Sequence, residues 1–399
     1  MMKILLGGIP LGCDNIGDEA ILGCVIGIVR RLSPHAKITV STKDQTGCRL
    51  KFGVETIPLY GFDPAQPLSS FAEAVKGFDL FLWSGATGLS DYPALGCSLL
   101  EMAHRAGVRT AVWNVGMNDT FNPAFFKLSG RRLMLSRLVG KLTGFDLAAH
   151  WERKLAAQIR RRLGKALAGC RLVVLRDPDS LRALRLCGPF PAALAGADSA
   201  ILQSEVAFDS LKWPSPQAKE LFLAKQRKVA LCLSAQSPVR DLDRFAAWMD
   251  EMLAADPELL WVMIPMNPIT DFRLMGDLKR KMRNHDRAIL LDLREPEEVQ
   301  CAVGRCRIVI SSRLHLMILG LNHLVPAVGI ARGSKIATYL AAFGLPTCGS
   351  TEGIDYVSLS ANVERLFDDR TFAERAAPVR AALLKRLAEA EKHLGAILQ

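Results

Sequence analysis

The apolar positions of this chain fall into short runs separated by amphipathic stretches. In the first half, KILLGG (3–8), KITVST (37–42), FDLFLWSG (78–85), RTAVWNVG (109–116) and RLVVLR (171–176) predict strands. Between them, DEAILGCVIGIVRRL (18–32), YPALGCSLLEMAHRAG (92–107) and DSLRALRLCG (179–188) predict helices. Apart from KITVST, which alternates, the strand runs are largely apolar. They therefore predict strands buried on both faces, as in a parallel, doubly wound sheet.

LKWPSPQAKE (211–220) is polar, carries prolines and predicts a linker. The alternation then restarts. KVALCLS (228–234), LLWVMIPM (259–266), AILLDL (288–293), RIVIS (307–311) and VPAVGI (325–330) predict strands, with helices at 243–256, 272–282, 296–306 and 314–322. The pattern predicts an α/β chain of two Rossmann-like domains, 1–212 and 222–370, and an amphipathic C-terminal helix over 371–399. Two such halves joined by a linker predict a GT-B-like architecture with an interdomain cleft.

Residues 127–170 depart from this rhythm. Trp151, Leu155, Ile159, Leu163 and Leu167 recur every four positions among arginines and lysines, which predicts a basic helix with one apolar stripe. Charge sharpens the picture. Residues 127–185 hold fifteen Lys/Arg against four Asp/Glu, so this segment accounts for the chain's whole formal charge of +11. Such a segment suits an anionic membrane surface, or a sheet-covering helix with a solvated basic face. No basic–aromatic interleaving, zinc finger or RNP motif accompanies it, so nucleic acid is not expected as a partner.

No unbroken apolar run of 18 residues occurs, and no span is expected. The start, MMKILLGGIPLGC, runs straight into polar sequence and is not read as a processed leader. The expected location is cytoplasmic, with the inner face of the cytoplasmic membrane as a candidate docking surface. Ten scattered cysteines show no zinc spacing, so they read as small core residues in a reducing compartment, and no metal is expected.

The candidate chemistry lies at strand ends. The stretch 5–23, LLGGIPLGCDNIGDEAILG, is a glycine loop matching neither the dinucleotide nor the Walker pattern. ISSRLHLMILG (310–320) follows a β-branched strand and opens a helix, a place where anions bind. It brings Ser311, Ser312, Arg313 and His315 to one strand end. Arg313 offers a planar fork for carboxylate or phosphate, and His315 a proton carrier near neutral pH. VVLRDPDS (173–180) delivers Arg176 in the same way, and RGSK (332–335) delivers Lys335. Three cations and a histidine suit a small, doubly charged anion.

DNIGDEAIL, LRDPDS, ADSAIL and EEVQCAVGRCRIVISSRLHLMILGLNHLVPAVGIARGSK, in this order, resemble the polysaccharide pyruvyl transferase family over roughly residues 3–345. The resemblance implies a GT-B-like fold. It also implies transfer of the enolpyruvyl group of phosphoenolpyruvate to a sugar of a cell-surface polysaccharide or its precursor, forming a pyruvate ketal. Phosphoenolpyruvate is then a co-substrate and no cofactor is needed. The acceptor can be lipid-linked, nucleotide-linked or polymeric.

On the family's motifs, His315 and Arg313 match the catalytic R-x-H pair. Arg176, Lys335, Asn15, Gly17, Asp18 and Glu19 match binding positions, and Ser312 joins them as a neighbour. His315 would act as general acid/base, Arg313 and Arg176 as anion clamps. The loop would form the wall opposite Arg313 and His315, its glycines admitting substrate to the backbone. The first domain would hold the acceptor, the second phosphoenolpyruvate. The chain departs from the family at Trp83-Ser84-Gly85-Ala86, where three glycines are usual, and at Gly116-Met117-Asn118, where Gly-Pro is usual. A sugar-nucleotide glycosyltransferase and a non-catalytic glycan- or anion-binding relative are the alternative readings.

Overall fold

The structure is a computed structural model that describes residues 1–118, 120–225 and 227–399. Seven strands form the first sheet: β1 (Lys3–Gly7), β2 (Lys37–Ser41), β3 (Glu55–Ile57), β4 (Leu80–Ser84), β5 (Arg109–Val115), β6 (Leu172–Leu175) and β7 (Leu194–Ala195). Their order is β3-β2-β1-β4-β5-β6-β7, and every pairing is parallel. Seven more form the second: β8 (Arg227–Cys232), β9 (Leu259–Met263), β10 (Ala288–Leu290), β11 (Ile308–Ser311), β12 (Ala327–Ala331), β13 (Thr347–Ser350) and β14 (Gly353–Ile354). Its order is β10-β9-β8-β11-β12-β13-β14, parallel except for the antiparallel edge pair β13–β14.

The central strands are buried on both faces, as their unbroken apolar runs predict: β4, β9 and β11 are buried at every position. In each sheet the strand order reverses once, at β1/β4 and at β8/β11. Ligands of such sheets bind beyond the carboxyl ends of the strands at that reversal.

The chain divides into two compact units. The first is Met1–Cys13, Val25–Asp198 and Arg386–Gln399; the second is Asp14–Cys24 and Ser199–Lys385. The helix Ile16–Leu32 therefore begins in the second unit and ends in the first. Its acidic first turn (Asp18, Glu19) and basic last turn (Arg30, Arg31) complement the helix dipole.

The expected linker 211–220 is partly helical. Ser215 accepts from the Ala218 amide (3.1 Å) and caps the helix Pro216–Ala224, whose Phe222 is buried. The basic helical segment expected over 127–170 consists of two helices, Gly130–Thr143 and Leu147–Ala168. Gly144 ends the first with φ 69°, and Asp146 caps the second by accepting from the Ala149 amide (2.9 Å). The four-residue stripe on the second helix is graded. Leu163 and Leu167 are buried, Leu155 and Ile159 half-buried, and Trp151 surfaces.

None of the ten cysteines is in a disulfide. Burial pushes the thiols of Cys97 and Cys306 up to about 12 and those of Cys170 and Cys187 up to about 11, so these four stay protonated and act as small apolar groups. Among the described residues no helix is long and apolar enough to cross a membrane, and no group of three metal-binding side chains occurs.

Candidate active site

The second unit carries a cluster of buried charge at the β8/β11 reversal. β11 ends at Ser311, whose hydroxyl accepts from the Arg313 amide and donates to the Arg313 carbonyl (both 2.9 Å). This closed turn fixes Arg313 as the residue that starts the helix Leu314–Asn322. Arg313 is 7% exposed. Its Nε donates to Asp271 Oδ2 (2.8 Å) and its Nη2 to Asp271 Oδ1 (2.9 Å), a bidentate fork. Asp271, fully buried in the first turn of the helix Thr270–Lys281, also accepts from the Ala235 amide (2.8 Å). The charge that Arg313 was expected to offer a ligand is thus largely matched within the protein.

What remains available on Arg313 is Nη1, which donates to Gln236 Oε1 (3.3 Å). The same oxygen accepts from Arg332 Nη2 (3.1 Å). Two guanidinium groups, one beyond β11 and one beyond β12, therefore converge on a single neutral oxygen. An anionic oxygen in that position would be better matched than an amide.

His315, half-buried in the first turn of its helix, lies against the N-terminal loop. A Cβ on Gly17 would overlap the His315 ring, so only glycine lets the ring rest on this backbone. Gly17 was expected to admit substrate to the chain; the histidine fills that space instead. Gly8, the earlier loop glycine, likewise faces the Trp83 indole.

Asn15 organises the helix start. Its Nδ2 donates to Asp18 Oδ2 (2.6 Å), and its Oδ1 accepts from the Gly17 amide (3.2 Å). The neighbouring Ile16 amide donates to the Met266 carbonyl (3.0 Å), tying the loop to the end of β9. Asp18 is 5% exposed. Burial pushes its carboxyl above the usual 3.8, against the opposing pull of His315, Lys335, the Asn15 hydrogen bond and Arg313. Glu19, half-buried in the same turn, donates its amide to the Asn15 carbonyl (3.1 Å).

Of the loop expected as the wall opposite Arg313 and His315, residues 14–23 are therefore part of their own unit, whereas residues 5–13 belong to the first. Asn15, Gly17, Asp18, Arg313, His315 and Lys335 are brought together in it. Ser312 is 1% exposed, and its hydroxyl accepts from the Ser234 amide (2.8 Å). It joins the two strand ends at the reversal. Asp271, Gln236 and Arg332 were not foreseen. A single acid in ITDF and a glutamine in SAQS carry no motif; what gives them a role is their position after β9 and β8, the two strands that lead up to β11 in the sheet order.

Arg176 belongs to the first unit. It follows β6, is 6% exposed, donates from Nε to Asp177 Oδ2 (3.2 Å), and lies 3.8 Å through Nη1 from Asp198 Oδ2. A Cβ on Gly116 would sit 2.8 Å from Arg176 Nη2, so the glycine after β5 makes room for the guanidinium. Asp177 also accepts from the Ser180 amide (2.7 Å), capping the next helix. Arg176 is a buried cation flanked by two carboxylates, at the carboxyl edge of its own sheet.

Solved structures similar over nearly the whole chain include sugar-nucleotide proteins. An S. aureus MnaA–UDP structure aligns with a TM-score of 0.65 at 11% identity, covering 98% of this chain and 94% of that one. The glycotransferase of kitacinnamycin gives 0.58 at 14%, covering 98% and 97%. Anabaena Alr3699/HepE in complex with UDP-glucose gives 0.59 at 13%, covering 100% and 99%. At these identities the likeness establishes the fold alone, and that fold is the GT-B-like class of paired α/β units. The sequence pattern of the polysaccharide pyruvyl transferase family matches residues 15–334, and the chain belongs to that family. No protein with a curated description is significantly similar to it in sequence.

Proposed function

We propose that this protein moves the pyruvyl group of phosphoenolpyruvate onto two hydroxyls of one sugar in a cell-surface polysaccharide or its precursor, forming a ketal. The observation that supports this most directly is Arg313, locked by Asp271 with one nitrogen left over, beside His315 on the same helix start. Phosphoenolpyruvate carries a carboxylate and a phosphate, and the convergent Arg313 and Arg332 suit one of its anionic groups.

The reaction balances without an oxidant or a reductant, and no cofactor is invoked. Protonation of the CH₂ carbon gives an oxocarbenium-like centre at the adjacent carbon. One sugar hydroxyl adds there and loses its proton. The C–O bond to phosphate breaks, and a second hydroxyl closes the ring as it loses its own proton. His315 is assigned the proton transfers. The ionised form of Asp18 would favour an imidazolium that forms beside it. Arg313 and Arg332 stabilise charge as it gathers on the leaving phosphate. Lys335 and the first-turn residues Asn15 and Glu19 are candidate ligands for substrate hydroxyls or anions. Arg176 is kept as a candidate anion ligand of the first unit.

The test is mass spectrometry of candidate acceptor sugars, free, lipid-linked and nucleotide-linked, incubated with phosphoenolpyruvate. Gain of one pyruvyl ketal with release of phosphate supports the proposal. Consumption of a nucleotide sugar without phosphoenolpyruvate would overturn it. That outcome would favour a glycosyltransferase, a reading suggested by the UDP and UDP-glucose bound to structures of the same fold. In that case the same arginines would hold a pyrophosphate.

A further inference from the structure

The helix Gly130–Thr143 is built inside out. A helix packed on a domain normally turns its apolar stripe inward. Among its described side chains the most deeply buried is Ser136, with Leu133 and Gly140 half-buried on the same side. The apolar side chains face outward instead: Met134 is 65% exposed, Leu135 57%, Leu138 56% and Leu142 81%. Their spacing of one, four and eight residues places them in one stripe along the outer face. Phe145 and Trp151, each about half exposed, continue the apolar surface past the turn. Lys154 Nζ lies 4.7 Å above the Trp151 ring.

The flanks of the stripe are basic. Arg131, Arg132 and Arg137 are exposed on the same helix, and Arg153 and Lys154 on the next. No acidic residue occurs from Lys127 to Phe145. The sequence pattern directed attention to the stripe from Trp151 to Leu167; the structure buries the far end of that stripe and exposes this one.

We propose that the outer face of the helix Gly130–Thr143 lies in the surface of an anionic bilayer. Leu135, Leu138, Leu142 and Met134 would enter the acyl boundary, with Arg131, Arg132 and Arg137 on lipid phosphates. The helix would lie in the plane of the surface. At about 1.5 Å per residue it is roughly 21 Å long, too short and too charged to cross. Charge decides between occupants. A second copy of the chain packed on the same stripe would set arginines against arginines with no acid on either helix to pair them. Anionic headgroups meet both the charge and the apolar stripe.

Flotation of the full chain with vesicles tests this. One set contains phosphatidylcholine alone, the other phosphatidylcholine mixed with phosphatidylglycerol. The expected result is binding to the anionic set, weakened by salt, and little binding to the neutral set. Two variants are compared, Leu135→Ser/Leu138→Ser/Leu142→Ser and Arg131→Gln/Arg132→Gln/Arg137→Gln. The arginine variant should bind the anionic set roughly a hundredfold more weakly, and the leucine variant should also detach. Thermal unfolding should be unchanged in both, because all six side chains are exposed. Absence of wild-type binding to the anionic set, or full binding by the leucine variant, overturns the proposal. So does a dimer in light scattering that the leucine variant abolishes, since a second copy would then be the occupant.

Discussion

Asp271 holds Arg313 by both of its carboxylate oxygens, at 2.8 and 2.9 Å, in a site where neither side chain is more than 8% exposed. Removing the acid from such a pair leaves a buried charge without its partner, at about 3–5 kcal/mol. Asp271→Asn should therefore lower the unfolding free energy obtained by urea titration by an amount in that range. Asp271→Asn/Arg313→Met, which removes both charges, should recover much of the loss. Equal destabilisation of the two variants would show that the pair is not an energetic unit.

Gly17 and His315 make a purely steric prediction. Gly17→Ala puts a methyl group where the imidazole now sits, so the ring must leave its place. A displacement of about 1 Å at a reacting group costs on the order of a hundredfold in rate. The variant should lose that much kcat in the pyruvyl-transfer assay while retaining its circular dichroism spectrum. Unaltered turnover would mean that the ring's position is not used.

Asp18 links the site to pH. Its carboxyl titrates above the ordinary 3.8 because burial disfavours the anion. The folded state therefore binds this proton more tightly than the unfolded chain. The stabilisation that follows is complete below the ordinary value and disappears as pH rises through the raised one. At neutral pH Asp18→Asn should thus raise the melting temperature and flatten its dependence on acid pH, while lowering turnover. A lower melting temperature at neutral pH would contradict the burial argument.

Arg332 tests the convergent arginines. A hydrogen bond to a charged partner is worth about 1.5–3 kcal/mol. Arg332→Ala should accordingly raise KM for phosphoenolpyruvate at least about tenfold, and weaken inhibition by inorganic phosphate in parallel. Arg332→Lys should recover only part of this, since a point charge lacks the second donor of the fork. An unchanged KM would remove Arg332 from the binding surface.

Much of this was legible in the sequence. Strand-length apolar runs such as LLWVM and RIVIS declared buried parallel strands, and the polar switch after RIVIS put Arg313 and His315 at a strand end. Edge strands were less legible. β3, β7 and β14 have three residues or fewer, too short for any periodicity, and they form only because a longer neighbour offers its edge. Asp271 was invisible for another reason. A lone carboxylate forty-two residues before its arginine has no local signature, and only the sheet order β9-β8-β11 gives it a partner. The partition of the loop was hidden too. Nothing in DNIGDEAIL says that Gly17 must lie under a histidine nearly three hundred residues later.

The interleaving of the two units governs how the protein can be dissected and made. The unit holding Arg313 and His315 takes Asp14–Cys24 from the start of the chain, and the other unit takes Arg386–Gln399 from its end. No single cut separates them. A fragment beginning at Ser199 would carry the histidine without Asp18 or the glycine backbone it rests on. A fragment ending at Asp198 would lack its own closing segment. On the ribosome, Asp18 emerges early and waits for almost the entire chain before its neighbours at 313–335 exist. Neither unit is complete when residues 1–198 have been made, so assembly of the site waits for residues 313–335 to emerge.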